Sequence, residues 1–301
     1  MACLNIKETD IPNLEGQTAI VTGGSSGIGL AAAKILASRG ARVVILDVCQ
    51  PNEALPSSAE FRKCDISRWS DLSDAFSQIG PVQIAIANAG VDEDGTYLND
   101  SYNDNGDLLE PNYDVIDVNF RGTLNFVKLA LHSMKRNGAQ GSIVLTSSAT
   151  AYSPEQSLPV YSGTKAALIN YLRAMRSNLR DTGITINAVA PAATITGLLP
   201  AKLAAPIMDA GLPVSSAHFV GLAVVYSAVA MESEKVQAYG KDNAEWKKTR
   251  GRWSGRVILT LGERYTELEG PLANCRDTWM GAENLQETEM QQAATDFRHV
   301  L

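Results

Sequence analysis

Between Thr18 and Leu261 the chain alternates short, apolar, β-prone runs with helix-patterned segments, and nothing interrupts the alternation. The β-prone runs fall at residues 18–22, 42–47, 59–64, 81–87, 141–148, 184–190 and 257–261. Strand–helix–strand units of this kind build parallel sheets, because each helix carries the chain back to the edge from which the next strand starts. The pattern predicts an α/β fold with one doubly wound parallel sheet of about seven strands flanked by helices. No repeat, low-complexity tract or linker divides the chain. Residues 1–301 therefore read as one domain, with a core at 17–262 and a C-terminal extension at 263–301.

The first run enters a glycine turn, Gly23-Gly-Ser-Ser-Gly27-Ile-Gly29, and a helical stretch at 30–39 follows, stopped by Gly40. A glycine turn alone says little; between a strand and a helix it has a specific use. Glycine permits positive φ, lets backbone approach a pyrophosphate, and places that anion at a helix N-terminus where free N–H groups and the dipole favour it. This defines a Rossmann-type dinucleotide site. Asp47 ends the second run 18 residues beyond Gly29, about where such a site keeps the carboxylate that binds the ribose hydroxyls. A carboxylate there repels a 2′-phosphate, and the turn contains no Arg or Lys to offset it. The expected cofactor is NAD rather than NADP.

A second constellation lies further along. In Tyr161-Ser-Gly-Thr-Lys165 a phenol and an ammonium stand one helical turn apart. A lysine there favours the phenolate and pulls the tyrosine pKa down, making an acid/base for an alcohol or ketone oxygen. On its own the pair also fits an ordinary exposed helix. Ser147 and Ser148 end the fifth run, Ser148 standing 13 residues before Tyr161. Asn88-Ala-Gly90 ends the fourth run, where small residues let a ligand lie across the sheet edge. Asn119 sits inside an apolar helical pattern at 113–136 and, if buried, needs partners. A further helix is expected at 161–181, with the prolines Pro154 and Pro159 in the loop before it. Ser67 is a candidate cap for a helix at 69–79.

Taken together, Thr22-Gly-Gly-Ser-Ser-Gly-Ile-Gly29, Asp65, Asn88-Ala-Gly90, Asn119, Ser148, Tyr161-Ser-Gly-Thr-Lys165 and Asn187 with Pro191 resemble the short-chain dehydrogenase/reductase family. The resemblance implies that Tyr161 exchanges the proton with the substrate oxygen. It implies that Lys165 lowers the Tyr161 pKa and holds the nicotinamide ribose, that Ser148 orients the substrate oxygen, and that Asn119 holds a relay water. The cofactor is implied to meet Gly23, Ser25, Ser26, Gly27, Ile28, Gly29, Asp47, Asp65, Ile66, Asn88, Ala89, Gly90, Tyr161, Lys165, Pro191, Thr194 and Thr196. It also implies a homodimer or homotetramer packed through the helices at 113–136 and 161–181. One departure is Pro191-Ala192, where the family has Pro-Gly. The tail from Trp279 to Phe297 is similar to a form common in fungal members, many of which act in secondary metabolism. It also resembles the 15-hydroxyprostaglandin dehydrogenase type.

The expected activity is interconversion of a secondary alcohol and a ketone on a hydrophobic small molecule, from the apolar residues Ala192, Ile195, Leu198, Leu199, Leu203 and Met208. The alternative is a redox-neutral enzyme on the same scaffold, an epimerase, dehydratase or cyclase; a third reading is a non-catalytic NAD-binding protein. A net charge of −7 without a basic block argues against nucleic acid and anionic membranes as partners. No apolar run approaches the roughly 18 residues of a membrane span. The four cysteines form no Cys-x-x-Cys pair and the three histidines are scattered, so a metal site is not expected and a reduced, cytoplasmic protein is. Residues 91–111 read as a solvated acidic loop, 192–215 as a lid or substrate loop, and 282–297 as a helix, while 232–254 shows no clear pattern.

Overall fold

The computed structural model describes residues 3–298 apart from Asn52 and Ala139. In chain order, β1 (Cys3–Leu4), β2 (Thr18–Thr22), α1 (Gly27–Ser38), β3 (Arg42–Asp47), β4 (Ala59–Lys63), α2 (Trp69–Ile79) and β5 (Ile84–Ala87) come first. A short α3 (Asp114–Ile116) runs through a π-helical turn at Asp117–Gly122 into α4 (Thr123–Arg136). Next come β6 (Ser142–Thr146), α5 (Pro159–Asn178), β7 (Thr185–Pro191), β8 (Thr194–Ile195), α6 (Ala201–Asp209), β9 (Ser215–Ser216) and α7 (Ala217–Val229). The chain ends with β10 (Met231–Glu232), β11 (Gly251–Arg252), β12 (Val257–Leu261), β13 (Arg264–Glu267), α8 (Glu269–Asn274), α9 (Arg276–Met280) and α10 (Ala282–Ala294).

The main sheet has nine strands in the order β1-β13-β12-β7-β6-β5-β2-β3-β4. All seven predicted strands are present and every pairing among them is parallel. The expectation of about seven falls short because β13 and β1 extend the sheet antiparallel from β12. Cys3–Leu4 is too short to show period-two patterning, and Arg264–Glu267 reads as polar turn sequence. Both gain their strand conformation from the neighbouring edge.

Continuous apolar sequence in the central strands reflects cover on both faces. One face carries α1 and α7 over Val21, Ile45 and Val189. The other carries α2, α4 and α5 over Ile20, Leu46 and Leu145, with Phe126 wholly buried among them. Asn187 ties the layers together. Its amide donates to the carbonyls of Ser227 in α7 (2.9 Å) and Trp253 (3.0 Å), and its oxygen accepts from the Arg256 N–H (3.1 Å).

Several boundaries differ from the sequence pattern. The helix expected at 113–136 is interrupted by the π turn that contains Asn119. Pro159 is the first residue of α5 rather than part of the preceding loop, as its fixed φ and missing N–H suit a first helical turn. Ser67 does not cap α2; Arg68 occupies that position, and Ser67 bonds to Asp65 instead. The 192–215 loop contains α6, and 232–254 contains a 3-10 turn and β11, which pairs with β10 at its start. The tail helix stops at Ala294, before Phe297. Among the described residues no helix is long and apolar enough to cross a membrane.

Asn187→Ala would leave two carbonyls and one N–H buried without partners, each costing about 1–3 kcal/mol. Urea unfolding should show a loss of about 3 kcal/mol or more.

Candidate active site

The glycine turn is built by close approach. Gly23 and Gly27 have φ of +63° and +51°, in the left-handed region that favours glycine. A Cβ on Gly29 would lie 2.2 Å from the Gly23 carbonyl oxygen and 2.6 Å from Asn88 Nδ2. Asn88 closes the turn by donating to Gly23 O (3.1 Å), while its oxygen accepts from the Thr146 hydroxyl (3.1 Å). Ser26 precedes α1 without a side-chain cap, so the N–H groups at that helix start stay free of a local acceptor. The buried Ser25 hydroxyl has no hydrogen-bond partner among the described residues either. Ile28, next to the turn, packs on the core.

Asp47 stands beside this cradle: one carboxylate oxygen accepts from the Ser25 N–H (3.0 Å), the other from the Cys49 N–H (3.1 Å). Asp65 lies two residues beyond the end of β4, its carboxylate held by Ser67, and Ile66 lies against Gly122. A cradle that a Cβ would fill, an orphaned hydroxyl and a half-buried carboxylate fit a dinucleotide: pyrophosphate on the turn, ribose on Asp47.

The second constellation meets the first at the carboxyl edge of the sheet. Lys165 is 4% exposed, and its ammonium donates to the Thr146 carbonyl (3.1 Å) at the end of β6. Ser147 donates to the Lys165 carbonyl (2.8 Å), which commits Ser147 to fastening α5 and leaves Ser148 as the serine beside Tyr161. The Lys165 ammonium lies 5.4 Å from the centre of the Tyr161 ring. Burial pulls the Lys165 pKa down to about 8, with the Asp92 carboxylate pulling the other way. Burial pushes the Tyr161 phenol up from its ordinary value, the Ser148 hydroxyl opposes this, and Asp92 adds to it. The spacing predicts a tyrosine lowered by its lysine; in the structure burial raises the phenol instead, and the group that opposes this is the Ser148 hydroxyl.

Asn119 is fully buried. Its oxygen accepts from the Val91 N–H (2.8 Å) and its amide donates to the Val91 carbonyl (2.9 Å), leaving one acceptor and one donor position unused. Gly90 is small for a reason: a Cβ there would lie 3.1 Å from Asn119 Oδ1 and 3.3 Å from Lys165 Nζ. Ala89 packs over Gly23 in the same way. Pro191 ends β7, Thr194 donates to Ala192 O (2.9 Å), and Thr196 lies against Gly27.

Two residues were missed. The 91–111 loop is not solvated throughout. Glu93 turns inward, and one of its oxygens accepts from the Tyr161 N–H (2.5 Å) in the first turn of α5, where the helix dipole favours an anion. Asp92 stays exposed at the rim but close enough to act on both Lys165 and Tyr161. The available signal was their position, directly after the strand end Asn88-Ala-Gly90.

Fold and geometry define a nucleotide-binding α/β enzyme, and similarity makes the class specific. Residues 17–205 match the short chain dehydrogenase family model, and the chain belongs to the short-chain dehydrogenase/reductase family. It is 53% identical over 300 residues to the short-chain dehydrogenase/reductase prx4 of Penicillium roqueforti, covering 99% of this chain and 90% of that one. It is 52% identical to ATR7 of Stachybotrys chlorohalonatus, a short-chain dehydrogenase/reductase, covering 99% and 95%. Both matches extend through the tail, in keeping with its fungal form. A 3-ketoacyl-(acyl-carrier-protein) reductase from Brucella melitensis, solved with NADH, has the same fold: TM-score 0.64 at 24% identity, over 83% of this chain and 98% of that one.

The Lys165 ammonium titrates near 10.5 in an unfolded chain and near 8 here, so the native state loses its proton first. Native stability should therefore rise between about pH 8 and 10.5 relative to Lys165→Met, measured as the difference in urea midpoints. A flat difference would mean the lysine is solvated.

Proposed function

We propose that the protein interconverts a secondary alcohol and a ketone on a hydrophobic small molecule, with NAD(H) as the preferred hydride carrier. The observation that carries this reading is the convergence of Ser148, Tyr161 and Lys165 with the glycine cradle on one sheet edge. Bound at that cradle, the nicotinamide supplies or accepts the hydride. Tyr161 gives a proton to the carbonyl oxygen in reduction and takes it back in oxidation. Ser148 donates a hydrogen bond to that oxygen as its charge develops. Lys165, fixed by Thr146 and Ser147, puts a positive charge beside the phenol. This stabilises the phenolate when the proton leaves and offsets the burial that raises its pKa. Asn119, through its unused donor and acceptor, holds the water that returns protons to Lys165.

NAD preference rests on Asp47, whose carboxylate faces the cradle with no Arg or Lys in the turn. A hydrophobic substrate fits the exposed Ile195, Leu198, Leu203 and Met208 on the segment that follows β7. The fungal relatives favour a role in secondary metabolism. Nothing in the site favours the redox-neutral alternative.

The outer faces of α4 and α5 keep Leu129, Leu131, Tyr171 and Met175 only partly buried. They are the faces through which a homodimer or homotetramer would assemble, and light scattering should give the mass of two or four chains. A single-chain mass would contradict that assembly.

Fluorescence titration should give tighter binding of NADH than of NADPH, with the preference reduced about tenfold or more in Asp47→Ala, as expected for a charge-assisted hydrogen bond. Equal affinities in the wild type would remove Asp47 from the ribose.

A further inference from the structure

A second cavity, of about 320 Å³, lies at the opposite, amino-terminal edge of the sheet, where Thr185 begins β7. That volume is in the range of ordinary small-molecule sites. Every charged side chain lining it is positive: Arg176, Arg180, Lys235 and Arg252. In a chain of net charge −7, a cavity wall with four cations and no carboxylate calls for an explanation. The last turn of α5 favours a cation at Arg176, and the carboxylates of Asp181 and Asp242 hold Arg180. They do not account for Lys235 and Arg252, which come from the β10–β11 region.

The surrounding ion pairs leave a positive surplus. Glu269 is shared by Arg173 and Arg176, Asp242 by Arg180 and Arg298, and Glu232 by Lys235 and Arg256. Asp181, Asp296 and Glu267 supply further carboxylates to Arg180, Arg298 and Arg256. With Arg252 counted, seven cations share six carboxylates. Arg252 pairs with no carboxylate among the described residues; its guanidinium donates only to the Gly183 carbonyl (3.3 Å). Arg176 is buried, yet its Nε–H has no partner among the described residues. Burial accordingly pulls Arg176 down to about 10, against the pull of Glu269. A partly buried cation without a carboxylate and an orphaned buried donor are both costly, and one anion in the cavity would relieve both. The rest of the wall is mixed: Leu179, Ile184, Met231, Val236 and Trp246 give it an apolar and aromatic part, and Gln140, Ser177, Thr185, Gln237 and Ser254 a neutral polar part.

We propose that this cavity binds a small organic monoanion, a carboxylate carried on an apolar or aromatic body, at a site separate from the catalytic one. The carboxylate meets Arg176 and Arg252, and the body lies against Trp246 and Leu179. Lys165 and Arg176 are eleven residues apart on α5, about 16 Å of helix, so the two sites share one rigid element.

Isothermal titration of the full chain with phenylacetate tests this, with phenylacetamide as the neutral control. Phenylacetate should bind saturably in the millimolar range or tighter. Binding should weaken about tenfold or more in Arg252→Gln, recover in part in Arg252→Lys, and persist in Tyr161→Phe, the loss being that of one charge-assisted hydrogen bond. Absence of saturable binding, equal binding of the amide, unchanged binding in Arg252→Gln, or loss in Tyr161→Phe would each overturn the proposal. The last would place the carboxylate in the catalytic cleft.

Discussion

The site depends on one buried charge. The Lys165 ammonium is almost wholly removed from solvent and, among the described residues, has a single hydrogen-bond partner, the Thr146 carbonyl. An ammonium so placed is expensive, and it stays only because the surroundings hold it there. The end of β6 grips α5 twice, through Thr146 O and the Ser147 hydroxyl. Gly90 makes room for the ammonium, and Asn119 fixes the backbone just beyond Gly90. Strand order, the π turn and the small residues after β5 all converge on that arrangement.

Thr146 also couples the two halves of the site. Its carbonyl holds Lys165, while its hydroxyl donates to Asn88, whose amide closes the glycine turn on Gly23. The glycine turn and the Tyr161–Lys165 pair are therefore joined through one residue at a strand end. Rigid strand ends position groups more closely than loops can. The loop contributes Glu93, which anchors the first turn of α5 at the Tyr161 N–H.

The parallel sheet and the candidate residues could be read from the sequence because both obey local rules. Buried parallel strands are continuous apolar runs, and a glycine turn between strand and helix has few other uses. Other features depend on partners distant in sequence. The strand at Arg264–Glu267 has no pattern of its own and exists because β12 offers an edge. The π turn carries Asn119, whose amide is bound to the Val91 backbone 28 residues away, a pairing that no spacing announces. Glu93 looked like one more carboxylate in an acidic loop, because its partner is a backbone N–H in a helix 68 residues away. The Tyr161 pKa ran opposite to expectation for a similar reason. Spacing places the lysine, but only packing sets the desolvation.

The central claim is that Tyr161 carries the proton while the rest of the site binds and orients. The most direct measurement is turnover and NADH affinity of Tyr161→Phe, on any secondary alcohol or ketone the wild type accepts. The account predicts that NADH affinity is kept and kcat falls by about a hundredfold or more, the usual contribution of a positioned acid/base. Unchanged kcat would contradict it and move the proton to another group.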